Sequence, residues 1–263
     1  MSENELARFR LDGKVALIPG GTGGIGLRIG EAFARVGAKV AVVGRSKAKL
    51  EHAAETLAAT GVDHLVIAGD MTSNADAQDA VDQTIEQLGG VDVLVNAVGG
   101  GAGDALYPAE SYPRDKWDWM IDLNLTAVLL PSQAAAQAMI AAGKGGRILN
   151  ISSVRGQLAI HADYSAYVAA KHAVNGLTKQ HATEWAKHGI TVNAISPTFT
   201  RTDQVASLLE TPGFEEAVVS RISLGRIGET DDMVGAALFF CSDASSFVTG
   251  QNLVLDGGLT ACQ

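Results

Sequence analysis

The 263-residue sequence holds only two cysteines, Cys241 and Cys262, 21 positions apart. That spacing supplies neither a disulfide framework nor a paired metal-ligand motif, and a reducing compartment is the expectation. Basic residues are also in deficit. Twenty Lys and Arg face 29 Asp and Glu, a formal charge of −9, which removes any general attraction to nucleic acid or anionic lipid. No uninterrupted apolar stretch reaches the roughly 20 residues a membrane helix needs, because the most apolar segment, 127–142, is broken by Pro131, Ser132, Gln133 and Gln137. Glu3, Glu5, Arg8 and Arg10 leave the first ten residues without the apolar core of a secretory signal. His52, His64, His172, His181 and His188 form no ligand constellation. These absences predict a soluble, cytoplasmic protein with a small-molecule substrate, no metal, no nucleic-acid partner and no membrane.

What is present is a chain 47% hydrophobic, enough for one large core, and 30 glycines that gather between short apolar runs. Those runs, at 14–18, 39–43, 64–67, 91–95, 147–151, 191–195 and 253–255, are rich in Val and Ile and read as strands covered on both faces. Helix-length segments lie between them at 25–36, 47–59, 74–88, 116–142, 164–187 and 231–241, with Ser46 as an N-cap and Gly61 just past a helix end. Pro131 is expected to kink the longest of these. Strand and helix in alternation mean βαβ units. The predicted fold is α/β: a doubly wound parallel sheet of about seven strands between helical layers, a three-layer sandwich. No linker divides the chain, so 1–263 reads as a single domain. Residues 200–226 form a helical insert, broken at Thr211, Pro212 and Gly213, and this insert is the expected mobile lid.

Five glycines, at 20, 21, 23, 24 and 26, follow the first strand and open its helix. Missing Cβ atoms let a backbone turn tightly and approach a pyrophosphate seated on free N–H groups. Two registers fit: Gly21, Gly23 and Gly26 match G-x-G-x-x-G, while Gly20, Gly24 and Gly26 give the wider G-x-x-x-G-x-G. Either one places a dinucleotide on a Rossmann-type sheet. At the end of the second strand, where an NAD site would carry Asp or Glu, stand Gly44 and Arg45. A guanidinium there pairs with a 2′-phosphate, which favours NADP over NAD. Asp70 is the expected neighbour of the adenine edge, or else a helix-initiating Asp. Asn96, Ala97 and Gly99 end the fourth strand against the cofactor.

Tyr167 and Lys171 are four apart in a helical segment and share one face. Tyrosine with a pKa of about 10 is a weak base near neutrality, but a neighbouring ammonium favours phenolate, so the pair suits proton exchange with an alcohol or ketone. Ser152 and Ser153 follow the fifth strand, where a hydroxyl can orient a substrate oxygen. Asn124, in the long preceding helix, is placed to bind a water linking the ammonium to solvent, or is a satisfied polar residue in a packed helix.

These pieces, with Pro197, Thr202 and the closing run from Thr249 to Gly258, resemble the short-chain dehydrogenase/reductase family over 11–260. The resemblance implies a tetrad of Asn124, Ser153, Tyr167 and Lys171, reversible hydride transfer at a secondary alcohol or ketone, NADP or NAD, and a homotetramer. Cofactor contacts then fall on Gly20, Thr22, Gly24, Ile25, Gly26, Arg45, Asp70, Met71, Asn96, Gly99, Tyr167, Lys171, Pro197 and Thr202. The chain departs from the family pattern at Pro19, at Ala97 and Val98, and at Thr198. Its Ser153-to-Tyr167 spacing is also one residue longer than common, which predicts a bulged loop.

Arg155, Gln157, His161 and Asp163 crowd that loop, opposite Thr198, Thr200, Arg201 and Gln204. Arg155, His161 and Thr198 are the expected substrate contacts, in a polar pocket suited to a polyol or sugar acid. The strings S-V-R-G at 153–156, P-T-F-T-R-T at 197–202 and L-G-R-I-G at 224–228 resemble those of family members that interconvert gluconate and 5-ketogluconate. The alternatives are 3-oxoacyl reduction on a carrier-protein thioester and a non-catalytic dinucleotide-binding structural protein.

Overall fold

A computed structural model describes residues 3–100, 105–160 and 163–261. Strands β1 (Val15–Pro19), β2 (Lys39–Gly44), β3 (His64–Ala68), β4 (Val93–Asn96), β5 (Gly146–Ile151), β6 (Ile190–Pro197) and β7 (Asn252–Leu255) form one sheet in the order β3-β2-β1-β4-β5-β6-β7. Every neighbouring pair is parallel. The seven predicted runs are these seven strands, within a few residues at each end.

Continuous apolar runs arise because both faces are covered. Ala16 and Ile18 of β1 join Val40, Val42, Phe33 and Phe240 on one side, while Val15 and Leu17 join Ala41, Val43, Leu94 and Met139 on the other. Successive side chains along a strand therefore enter opposite cores, the signature of a sheet between two helical layers. The helices are α1 (Glu3–Ala7), α2 (Gly24–Arg35), α3 (Lys47–Ala58), α4 (Asn74–Leu88), α5 (Arg114–Ile121), α6 (Ala127–Ala142), α7 (Ser165–Trp185), α8 (Asp203–Leu209), α9 (Phe214–Val219) and α10 (Val234–Cys241). Ser46 caps α3 by accepting from the Lys49 N–H at 3.5 Å, as its sequence position predicts. Ser73 caps α4 at 3.3 Å, so Asp70 is not the helix-initiating residue.

The long helix expected at 116–142 is corrected. It is interrupted at Asp122–Thr126 by one π turn, closed by the bond from the Ala127 N–H to the Asp122 carbonyl, and not at Pro131, which lies inside α6. A π turn widens the helix by one residue and is common at functional sites; here it carries Asn124. By length and composition the stretch Arg114–Ala142 would cross a membrane, yet 44% of its most apolar window is buried inside the fold. The helix expected from 231 begins later, because a tight 3₁₀ turn at Thr230–Met233 precedes α10.

Between β6 and β7 the insert contains α8 and α9, parted at the predicted break, where Gly213 has φ 79°. Phe214, Val218, Ile222 and Ile227 pack with Leu259 into a small cluster of their own. The strand order reverses between β1 and β4. At that switch point the βα loops part, leaving a crevice at the carboxyl ends of the strands.

Candidate active site

Four glycines of the turn after β1 are held by geometry, among them Gly21, where a Cβ would lie 2.7 Å from Val42 Cγ1 and 2.8 Å from the Ile18 carbonyl oxygen. Gly20 has φ 77°, and a Cβ there would lie 2.6 Å from the Ala97 backbone; on Gly26 it would lie 2.5 Å from the Gly20 carbonyl oxygen; Gly24 has φ 51°. Gly23 has open space around it and an extended φ of −177°. The register is therefore Gly20, Gly24 and Gly26. Pro19 costs the turn little support, because Gly20 N–H donates to Val43 and Gly21 N–H to Ile18, both at 2.9 Å. The first turn of α2 has no side-chain cap and no acidic residue, so its N–H groups and positive dipole end face the crevice uncompensated. A pyrophosphate fits this cradle. Ile25, in the same turn of helix, packs partly into the core, and Thr202 covers the turn from the insert, its Cγ2 3.2 Å from where a Gly24 Cβ would be.

At the neighbouring strand ends the Arg45 guanidinium reaches Asp70 at 3.3 Å, and both are exposed. Asp70 Oδ1 also accepts from the Thr72 N–H at 3.0 Å and hydroxyl at 2.8 Å, which hold its carboxyl below the usual range. Gly44 answers to packing: a Cβ on it would sit 2.6 Å from the Thr22 side chain.

Across the crevice, β5 delivers Ser152 and Ser153, and α7 delivers Tyr167 and Lys171. Ser153 accepts from the Arg155 N–H at 3.1 Å, and its hydroxyl lies close enough to the Tyr167 phenol to favour the ionised form. Ser152 turns toward the Lys171 carbonyl at 3.4 Å, which separates the two serines: Ser153 faces the phenol. Lys171 Nζ lies 5.7 Å from the Tyr167 ring centroid and donates to the Ile151 carbonyl at 3.0 Å. Burial pushes Tyr167 up, opposed by the Ser153 hydroxyl and more weakly by Arg155. Burial also pushes Lys171 down to about 8.

The fully buried Asn124 grips the Gly99–Gly100 backbone. Its Oδ1 accepts from Gly100 N–H at 3.0 Å, and its Nδ2 donates to the Gly100 carbonyl at 2.9 Å and the Met120 carbonyl at 3.1 Å. Gly99, φ 153°, leaves just enough room, since a Cβ would be 2.9 Å from Asn124 Oδ1 and 3.2 Å from Lys171 Nζ.

A family model described as enoyl-(acyl carrier protein) reductase matches residues 20–260. The chain is 36% identical to gluconate 5-dehydrogenase of Gluconobacter oxydans over 252 residues, covering 96% of both. It is 37% identical to D-threitol dehydrogenase of Mycolicibacterium smegmatis over 252 residues, covering 96% of this chain and 95% of that one. A crystal structure of a gluconate 5-dehydrogenase from Burkholderia cenocepacia, in complex with NADP and tartrate, superposes with a TM-score of 0.91 at 36% identity, covering 98% of this chain and 99% of that chain. The chain belongs to the short-chain dehydrogenase/reductase family. It is an oxidoreductase that uses a nicotinamide dinucleotide.

Within this short-chain dehydrogenase/reductase several side chains lie elsewhere than the sequence suggests. The Asn96 amide points into the sheet, where Nδ2 donates to Ser132 Oγ and Asn150 Oδ1, each at 2.8 Å, and Asn150 passes the chain to Thr178 at 2.9 Å. The Asn96 Nδ2 is therefore engaged inside the sheet, while the buried Oδ1 has no partner among the described residues. The Met71 side chain is likewise core, packed with Ala77 and Val81. Asn124 has both donors engaged, so its observed part is to pin a loop. Arg201 pairs with Glu215 at 2.8 Å and Glu229 at 3.2 Å, which engages the guanidinium within the insert and its flank. Gln204 does reach across, donating to the Gly99 carbonyl at 2.9 Å. Pro197 ends β6, and the Thr198 hydroxyl beyond it is hidden from water with no partner among the described residues. His161 lies outside the described residues. Tyr164 was missed: it is half-buried, its ring edge-on to Tyr167 with centroids 6.0 Å apart, and its spacing of three from Tyr167 was the available signal.

The two glycine registers make opposite demands on single substitutions. Gly23→Ala meets open space and should change dinucleotide affinity less than about twofold, whereas Gly26→Ala drives a methyl into the Gly20 carbonyl and should weaken it at least about tenfold. Fluorescence titration of both variants with NADPH measures this; equal effects would return the register to doubt.

Proposed function

We propose that the enzyme interconverts a secondary alcohol and its ketone on a polyol or sugar acid, with gluconate and 5-ketogluconate as the pair, and prefers NADP. The observation that carries the reading is the set of Ser153, Tyr167 and Lys171 at one place, the serine hydroxyl close enough to the phenol to ease its ionisation and the Lys171 ammonium 5.7 Å from the ring centroid, across one crevice from the glycine turn. The bound nicotinamide supplies the hydride acceptor or donor.

The chain's own residues handle the proton. Ser153, with one lone pair taken by the Arg155 N–H, holds the substrate oxygen and the phenol in one hydrogen-bonded line. Tyr167 takes the carbinol proton in oxidation and returns one to the ketone oxygen in reduction. Lys171, protonated at neutral pH with a value of about 8, lies over the ring face and favours phenolate as a proton leaves. Asn124 keeps Gly99 and Gly100 against the ammonium, which limits water at the reacting atoms. The unpaired Thr198 hydroxyl offers a further polar contact to whatever fills the crevice.

The NADP preference rests on Arg45. Its pair with Asp70 is exposed, and such pairs contribute only about 0–1 kcal/mol, so exchanging that carboxylate for a 2′-phosphate costs little. Turnover should be measured with gluconate, 5-ketogluconate, D-threitol and a 3-oxoacyl thioester, each with both nicotinamides. Thioester turnover without sugar-acid or polyol turnover would reject the substrate reading. In the same assay Arg45→Ala should raise the KM for NADP about tenfold and that for NAD less than about twofold; equal rises would show that the guanidinium misses the phosphate.

A further inference from the structure

Arginine in this chain is almost always paired. Of eleven arginines, eight stand within salt-bridge distance of a carboxylate. Arg8 donates to the Asp243 main chain. The other two, Arg155 and Arg221, have no carboxylate partner among the described residues. Arg155 is only 5% exposed. Its NH1 donates to the Ala159 carbonyl at 2.8 Å, leaving Nε and NH2 without a protein acceptor among the described residues. Burial, and next the nearby Arg221 guanidinium, weaken its hold on the proton, while the phenols of Tyr164 and Tyr167 act in the opposite sense. All four side chains therefore share one neighbourhood.

A guanidinium withdrawn from water beside a second cation is a destabilising arrangement, relieved when an anion arrives. Its support is rigid. Arg155 lies in the 3₁₀ turn Val154–Gly156, and Gly156 lets that turn sit directly on α7, where an added Cβ would be 2.8 Å from the Lys171 carbonyl; Asn175 bonds the same turn at 2.9 Å. Arg221, by contrast, is exposed and follows α9 in the insert. Arg155 thus follows Ser153 by two residues on a fixed turn, and Arg221, just past α9 in the insert, is within electrostatic reach of it.

We propose that Arg155 and Arg221 together receive a carboxylate at one end of the substrate, so that the enzyme selects hydroxy acids over neutral polyols of the same length. This rests on the reading that the substrate's carbinol sits at Ser153 and Tyr167. Planar guanidinium donors match a carboxylate's two oxygens, and a monoanion is less costly to desolvate than a phosphate dianion.

The test is affinity in a ternary complex that cannot react: enzyme with NADPH, titrated calorimetrically with gluconate, glucitol and glucitol 6-phosphate. Wild-type enzyme should bind gluconate at least about tenfold tighter than glucitol. Arg155→Met should bring that ratio close to one. Arg221→Ala, at an exposed position where folding is not at issue, should lower it about threefold to tenfold, with circular dichroism confirming both folds. An unchanged ratio in both variants, glucitol bound as well as gluconate, binding of neither, or preference for the phosphate would each overturn the proposal. Gluconate held through these arginines without hydride transfer from any polyol or sugar acid would instead overturn the proposed function and leave the carboxylate site standing.

Discussion

Tyr167→Phe should leave the fold and dinucleotide affinity in place while turnover falls about 10²- to 10⁴-fold, the range for removing a positioned acid/base. The ring's packing with Ala105, Met120 and Ala166 and its edge contact with Tyr164 survive the substitution. Ser153 loses the neighbouring phenol oxygen but keeps the Arg155 N–H, so the turn that carries it stays put. What disappears is the single hydroxyl that can exchange a proton with the substrate oxygen. Neither Tyr164 nor Ser153 replaces it: burial pushes Tyr164 up as it does Tyr167, but with no serine hydroxyl to oppose it, and an aliphatic hydroxyl is a far weaker acid than a phenol. Stopped-flow hydride transfer, alongside fluorescence titration with NADPH, separates chemistry from binding. Turnover above about a tenth of wild type would remove Tyr167 from the acid/base role.

The sheet was legible because strands buried on both faces must be apolar at every position, a signal confined to five or six consecutive residues. The tyrosine and lysine were legible for a similar reason, since four residues on a helix is a local relation. Features set by distant contacts were not. Five glycines announce a tight turn, but only the Ala97 and Gly20 backbones show that Gly20 and Gly26 are obligatory and Gly23 is not. Asn96 resembled a cofactor contact because it ends a strand; Ser132, Asn150 and Thr178, up to 82 residues away, make it internal. Gly44 suggested a missing carboxylate, yet the space belongs to Thr22. The π turn left no trace in hydropathy, whereas Pro131 drew attention to a place where α6 continues. Gly156, part of a string that resembles sugar-acid enzymes, is needed for packing on α7, so Arg155 carries more of that string's chemical meaning than the glycine does.

Lys171→Met should separate stability from catalysis. The ammonium is 3% exposed, bonded to one carbonyl, with no carboxylate partner among the described residues, and burial lowers its pKa from 10.5 to about 8. A depressed lysine pKa means that the unfolded chain holds this proton more tightly than the folded one. The penalty is fully present below pH 8 and is relieved as pH rises from about 8 toward 10.5. Wild-type stability, measured without dinucleotide by urea unfolding, should therefore gain on the order of 2–3 kcal/mol relative to Lys171→Met between pH 7 and pH 10. The difference between proteins is the proper quantity, because it removes contributions that the two proteins share. The absolute difference at pH 7 is smaller, since methionine strands the Ile151 carbonyl at a cost of about 1–3 kcal/mol. Turnover should fall about 10²-fold or more, because phenolate loses the one ammonium over its ring. Parallel pH profiles of stability would show that the lysine is no buried cation, and a variant retaining most of its turnover would show that the phenol works without it.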